Sequence, residues 1–422
     1  MAVLVFMLVQ LLMQNHLVSA ATFHINCTLP LEEYSYVTAP SIRSTLSIFW
    51  SSIFTIFICT WTVQHLSVPP QDYVGVKGFV KSFWRKLKWM LVTLFMPELL
   101  LGRALGEFMA ARESVSYDPT VKHSVKKSKK WTRTHAYYAN MGGFVLREKD
   151  PPHSSPAPST HASSLITELP SISEAEIKDK SKGDYMVKSI ALFQVIWLVI
   201  QLATRLARGL PSAQLEVAAL SFAVCTIITY VLWLEKPQDV RVPTYIYTAR
   251  DLDAYDKGVL PTLNMFGFFE NNFLLRGWRI PASTVPNDLY MMETKRWLGK
   301  TDGWNFTSED VGYVFGAMVF GAGHCIAWDF EFPTQVEQTL WRVASVATAA
   351  VMPVYYFVWW LLRDGIDGNR VEKVLNISVG VVAAVVYVLG RLFLLAEMFR
   401  SLFHLPPEAF VGTWSMSIPH VS

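Results

Sequence analysis

The chain has 422 residues, of which 52% are hydrophobic, 14% aromatic and only 17% charged, with a formal net charge of +3. Soluble globular chains carry roughly 25% charged residues, so this balance excludes an ordinary soluble protein and predicts a membrane one. So small a net charge, with no basic stripe interleaved by aromatics, also excludes nucleic acid as a partner.

In chain order, residues 1–23 contain no charged side chain, and Val18-Ser19-Ala20 resembles a signal-peptidase site. The pattern predicts a signal peptide over residues 1–20, with a retained first helix as the alternative. Asn26-Cys27-Thr28 follows as an N-glycosylation acceptor, which suits a lumenal N-terminus. Residues 44–66 lack Asp, Glu, Lys and Arg for long enough to cross a bilayer. Residues 89–102 are apolar but are cut by Pro97-Glu98 and preceded by Lys86 and Lys88, so an in-plane or re-entrant helix is favoured over a span. Residues 44–149 thus hold the first span, this helix and a basic segment. If residues 89–102 do cross, everything after them inverts, and Asn305-Phe306-Thr307 becomes a second lumenal acceptor.

Residues 150–184, opening on Pro151-Pro152-His153-Ser154-Ser155-Pro156, read as a disordered Pro/Ser-rich cytosolic linker. A helix pair follows in 185–234, with spans over 189–204 and 210–234. Residues 235–310 form an extramembrane region. Residues 311–400 hold three spans, 311–328, 343–362 and 374–396, and 401–422 form a tail. The fold expected is an all-α polytopic transmembrane helix bundle of about six or seven spans. The membrane expected is that of the endoplasmic reticulum or another secretory compartment. The four cysteines are scattered and form no disulfide or zinc pattern.

Ionisable groups inside apolar spans are costly and mark functional sites by default. His324, Asp329 and Glu331 stand out, since the apolar run from Val311 carries the histidine and ends on two carboxylates among Trp328, Phe330 and Phe332. A carboxyl group against apolar walls has a raised pKa and acts as an acid near neutral pH. The alternative is a helix-end cluster whose carboxylates face water. Glu98 is a second intramembrane carboxyl, and Glu216, Arg391 and Glu397 are further candidates, with ion pairing between spans as their structural role. Asp364-Gly365-Ile366-Asp367 and Asp251-Leu252-Asp253 lack calcium-loop spacing, and no nucleotide or zincin motif occurs, so no cofactor or metal is expected.

Several stretches carry a resemblance: Trp131-x-x-Thr134-His135-Ala136-Tyr137-Tyr138-Ala139-Asn140-Met141-Gly142-Gly143-Phe144, Trp233-x-x-Lys236-Pro237-x-Asp239-Val240, the block from His324 to Pro333, Gln338-x-x-Trp341-Arg342, and Trp414 to His420. As an ordered set they resemble a family of fungal multi-spanning membrane proteins of unsettled function, from about residue 44 to the C-terminus without the Pro/Ser linker. The resemblance implies orphan proteins and accessory proteins of secondary-metabolite pathways, in which some membrane proteins act as terpene cyclases on prenylated epoxides. On that expectation the chain is an acid-initiated, metal-independent cyclase of a lipophilic substrate met in the bilayer. Asp329 and Glu331 would be the acids, with His324 and Glu98 positioning or relaying protons. The competing expectation is a non-catalytic sensor, adaptor or scaffold for pathway enzymes, built on the long basic cytosolic segment. A transporter is disfavoured because no internal repeat is evident.

Overall fold

A computed structural model describes residues 42–69, 75–116, 131–148, 172–181, 185–248, 308–363 and 370–417. The expected signal peptide, both glycosylation acceptors (Asn26 and Asn305) and the two acidic loops lie outside the described residues. What is described is mostly helical: α1 (Thr45–Thr62), α2 (Gly75–Phe95), α3 (Pro97–Ser116), α4 (Arg133–Asn140), α5 (Glu174–Lys180), α6 (Tyr185–Ala207), α7 (Gln214–Leu232), α8 (Ser308–Cys325), α9 (Gln335–Arg363) and α10 (Arg370–Arg400). Two short strands, β1 (Phe144–Glu148) and β2 (Thr244–Thr248), pair in parallel, which an all-α expectation does not contain.

Among the described residues five helices are long and apolar enough to cross a membrane: α1, α7, and most of α6, α9 and α10. The span expected over 311–328 is not among them, because α8 falls short of the same test, while α2 and α3 pass it together as a bent pair that would make a sixth. Glu309 and Asp310 occupy the first turn of α8 and His324 its last, which leaves a shorter apolar stretch. Helices α2 and α3 meet at a bend of 106°. Pro97 causes it, since its ring disfavours helical backbone at Met96 and it has no N–H to continue the ladder.

The expected linker is also partly structured. Ser173 starts α5 by accepting from the Glu176 amide, and Glu176 reaches back to the Ser173 N–H at 2.5 Å. This capping box satisfies two donors at the helix start, and it presents Ile177 to a core where that side chain is fully buried.

The chain divides into two compact units, one of Met1–Phe57, Ile190–Ala223 and Met318–Ser422, the other of Ile58–Ser189 and Val224–Ala317. In the second unit, one core gathers Val63, Leu100, Ala104, Ala111, Tyr137 and Trp233, and another gathers Val68, Tyr138, Met141, Phe144, Ile177 and Val240. Helix α3 and the start of α8 approach backbone to backbone through Gly102, Gly106, Gly312 and Gly316. A Cβ on Gly312 would lie 2.5 Å from the Gly102 Cα, and one on Gly316 2.9 Å from the Glu98 Cα. Small residues at this spacing let two helices pack at their closest distance.

In the first unit α9 and α10 form a long antiparallel pair, and the end of α8 packs closely on α7 and α9 through Gly323 and Gly321. Arg205 near the end of α6 binds the backbone carbonyls of Pro211, Glu408, Ala409 and Val411, which ties down the C-terminal tail.

Candidate functional site

A buried constellation in the second unit centres on Glu107. Glu107 stands four residues after Arg103 on α3, so the two share a helix face. Arg103 Nε donates to Glu107 Oε1 at 2.8 Å, and Lys236 Nζ reaches Oε2 at 2.5 Å. All three side chains are almost completely excluded from solvent. Lys236 also sits 4.0 Å from the centre of the Trp233 ring, whose face attracts the cation. Burial pulls the Lys236 ammonium down to about 8 even though the Glu107 carboxylate opposes that shift.

His65 completes the surroundings. Its ring lies 5.2 Å from Trp233 and 6.1 Å from Tyr230, and Nδ1 is 2.9 Å from the Val63 carbonyl. Burial, with the charge of Lys236 as the second cause, holds it well below the ordinary histidine value of 6.5. Folded His65 is therefore neutral at a pH where unfolded His65 binds a proton. Below pH 6.5 the unfolded state takes up the extra proton, so stability falls as pH falls, by up to about 1.4 kcal/mol per pH unit until the folded pKa is reached. Above 6.5 this contribution is fully present. Unfolding measured from pH 7 to pH 5 in wild type and in His65→Gln tests this: the variant should show the shallower slope, and equal slopes would refute the assignment.

The two family-like stretches of this unit are what hold the constellation. Lys86 pairs with Asp239 at 3.1 Å, and Gln238 Nε2 donates to the carbonyls of Thr62 and Gln64. Tyr137 donates to the Leu232 carbonyl at 2.7 Å, and its burial pushes the phenol upward. Thr132 N–H donates to His135 Nδ1, so Nε2 carries the proton and donates to the Ile172 carbonyl at 3.1 Å. Gly143 leaves room for the Tyr138 ring, which a Cβ would meet at 2.5 Å.

The sequence-predicted residues are divided between the two units. Glu98 belongs to this second unit, buried where α3 meets Gly316. His324, Asp329 and Glu331 belong to the first. His324 is fully buried, with Nδ1 2.9 Å from the Phe320 carbonyl and its ring 4.7 Å from Phe320 and 5.7 Å from Trp341. Its Nε2 has no hydrogen-bond partner among the described residues. Arg391 stacks over Phe320 at 4.0 Å.

Asp329 and Glu331 take the alternative foreseen for them, carboxylates exposed at the end of a helix rather than walled in by apolar side chains. Asp329 has 89% of its side chain exposed and pairs with Arg342 at 3.1 Å, and Glu331 is exposed too. The turn that carries them is a frame of side chains on backbone carbonyls. Gln214 holds the carbonyl of Glu331, Gln338 that of Phe330, Arg342 that of Trp328, and Trp341 that of His324. This accounts for the Gln338-x-x-Trp341-Arg342 stretch: it closes the α8–α9 turn.

Two further buried groups matter in the first unit. Glu216 is bound by both terminal nitrogens of Arg43, by Gln201 Nε2 and by the Ala213 N–H. Glu397 on α10 is 3% exposed, and one of its carboxylate oxygens has no hydrogen-bond partner among the described residues. Sequence reasoning overlooked Arg103, Glu107 and His65, and treated Lys236 only as part of a motif. The signal for the first two was available, since Arg103 and Glu107 follow the apolar run that ends at Gly102 by one and five positions. Among the described residues, no three His, Cys, Asp or Glu side chains cluster as metal binding requires.

No curated protein and no solved structure matches the chain. One family does match, over residues 12–256, more than half of the chain and a range that contains Glu98, Arg103, Glu107 and Lys236 but not the block from His324 to Pro333. The chain therefore belongs to that family, described as a family of unknown function, DUF8562.

Proposed function

We propose that the chain is an integral membrane protein of the secretory pathway that acts as a non-catalytic adaptor or scaffold. The observation that carries this reading is that two of its buried carboxylates, Glu107 and Glu216, are fully committed to partners within the protein. Both carboxylate oxygens of Glu107 and both of Glu216 are engaged, and Tyr137 gives its proton to a backbone carbonyl. A general acid or base has to reach a substrate proton, and groups committed in this way hold the fold instead. The α8–α9 turn offers the opposite. Ile326, Trp328, Asp329 and Glu331 are exposed on a braced frame. An exposed tryptophan ringed by charge is a natural anchor for a protein partner. The resemblance to fungal secondary-metabolite proteins makes pathway enzymes the partners of choice.

One observation favours the second reading, an acid-initiated terpene cyclase. Glu397 is buried with an oxygen left unbonded, the condition for a carboxyl group that donates its proton to an epoxide or alkene. In this version the acid is Glu397, while Asp329 and Glu331 play no chemical part.

Metabolite profiling of a deletion strain, complemented with variants at matched protein level, separates the two. For an adaptor, Glu397→Gln restores the wild-type profile, and a variant combining Trp328→Ala, Asp329→Ala and Glu331→Ala does not. Accumulation of a linear lipophilic precursor that the turn variant clears and Glu397→Gln leaves would sink the adaptor reading in favour of the cyclase.

A further inference from the structure

Helix α2 has three distinct faces. Gly78, Trp89 and Thr93 are buried against the second unit. Val76, Phe79, Val80, Phe83, Trp84 and Leu91 recur at helical spacing and are all exposed. Lys77, Lys81 and Lys88 follow one another along one flank of this apolar stripe, with Lys77 and Lys81 exposed and Lys88 half-buried. An exposed face of this composition suits a bilayer interface, where rings and aliphatic chains enter the acyl boundary and ammonium groups meet headgroups.

The contacts of α2 fix its level. Phe83 packs 5.5 Å from Trp61, in the last turn of the span-length helix α1. Arg85 donates to the Ser67 carbonyl, and Thr93 accepts from Gln64, both just past the end of that helix. Lys86 binds Asp239, shortly after the span-length α7 ends at Leu232. Points from residue 83 to residue 93 of α2, about 15 Å of helix, thus all touch the last turn of a span or the segments that follow the ends of spans. A helix running across the bilayer would touch such segments at one end only.

We propose that α2 lies in the membrane interface, its apolar stripe among the acyl chains and its lysine row against anionic phospholipid headgroups. The bend at Pro97 then turns the chain out of the interfacial plane, and α2 and α3 are not two halves of one broken span.

Nitroxide labels at Val76, Phe79, Phe83 and Leu87 of the full chain, in a cysteine-free background and in lipid nanodiscs containing phosphatidylserine, test the geometry. Collision accessibility to oxygen and to a nickel chelate should place the labels at one interfacial depth. A depth that changes steadily along α2, by about 16 Å over these positions for a spanning helix, overturns the proposal. So does protection from both reagents, which would mean that protein covers the face. Headgroup preference is tested with spin-labelled phosphatidylserine and phosphatidylcholine. Lys77→Gln with Lys81→Gln should lower the selectivity for phosphatidylserine by about threefold or more, while the corresponding arginine variants retain it. Unchanged selectivity in the glutamine variant overturns the lysine assignment.

Discussion

Replacing Glu107 with alanine is expected to destabilise the protein by about 3–5 kcal/mol, the range for removing one partner of a buried ion pair. The loss has a specific origin. Without the carboxylate, Lys236 and Arg103 remain as two like charges out of water, and the ammonium keeps the Trp233 face as a compensating contact. That contact, worth about 2 kcal/mol when desolvated, supplies no counter-charge and so does not replace the charge-assisted bond at 2.5 Å. Lys236 is already lowered to about 8 by burial, so in the variant it sheds its proton more readily still, and the deficit shrinks as pH rises toward 8 and is constant above it. A double-mutant cycle of Glu107→Gln with Lys236→Met isolates the pair. The double variant should lose less than the sum of the single ones, with a coupling of roughly 1–3 kcal/mol. The readout is unfolding in detergent micelles followed by tryptophan fluorescence. Additive losses, or a Glu107→Ala effect below about 1 kcal/mol, would show that the constellation is held by packing alone.

Much of the helical layout was legible because its causes are local. An uncharged run of bilayer length such as α1 is written in consecutive residues, and so is the break at Pro97. Helix α5 was legible too, in Ser173-Glu174-Ala175-Glu176, but composition averaged over the whole Pro/Ser segment hid a four-residue capping signal. The β1–β2 pair was not, because its register rests on backbone contacts between stretches a hundred residues apart, such as the Thr244 amide with the Gly143 carbonyl.

The site was legible in its ingredients and illegible in its assembly. Asp329 and Glu331 drew attention because they interrupt an apolar run, yet exposure is decided by the turn, and their position at its outside edge gives Asp329 to Arg342 and to solvent. Glu107 and Lys236 lie 129 residues apart, and nothing along the chain links them until α3 and the end of α7 are packed. Glu216 fared better. An ion pair between spans was the structural role foreseen for it, and it is indeed paired, but with Arg43, which precedes α1 rather than lying in a span and was not singled out.

That second pair carries a large and directional expectation. Glu216→Leu should cost about 3–5 kcal/mol, and Arg43→Met distinctly less, roughly 1–3 kcal/mol. The asymmetry follows from what each change strands. Without Arg43, the Glu216 carboxylate still accepts from Gln201 Nε2 at 2.8 Å and from the Ala213 N–H at 2.8 Å. Without Glu216, two buried guanidinium groups, Arg43 and Arg205, are left with backbone carbonyls as acceptors and no anion to balance them. Those same carbonyls belong to Glu408, Ala409 and Val411, so the disturbance reaches the tail. Limited proteolysis should cleave Glu216→Leu after residue 400 faster than wild type, and Arg43→Met at an intermediate rate. Equal stability losses in the two variants, or a tail no more sensitive than in wild type, would mean that Arg205 holds the C-terminal segment without help from the ion pair beside it.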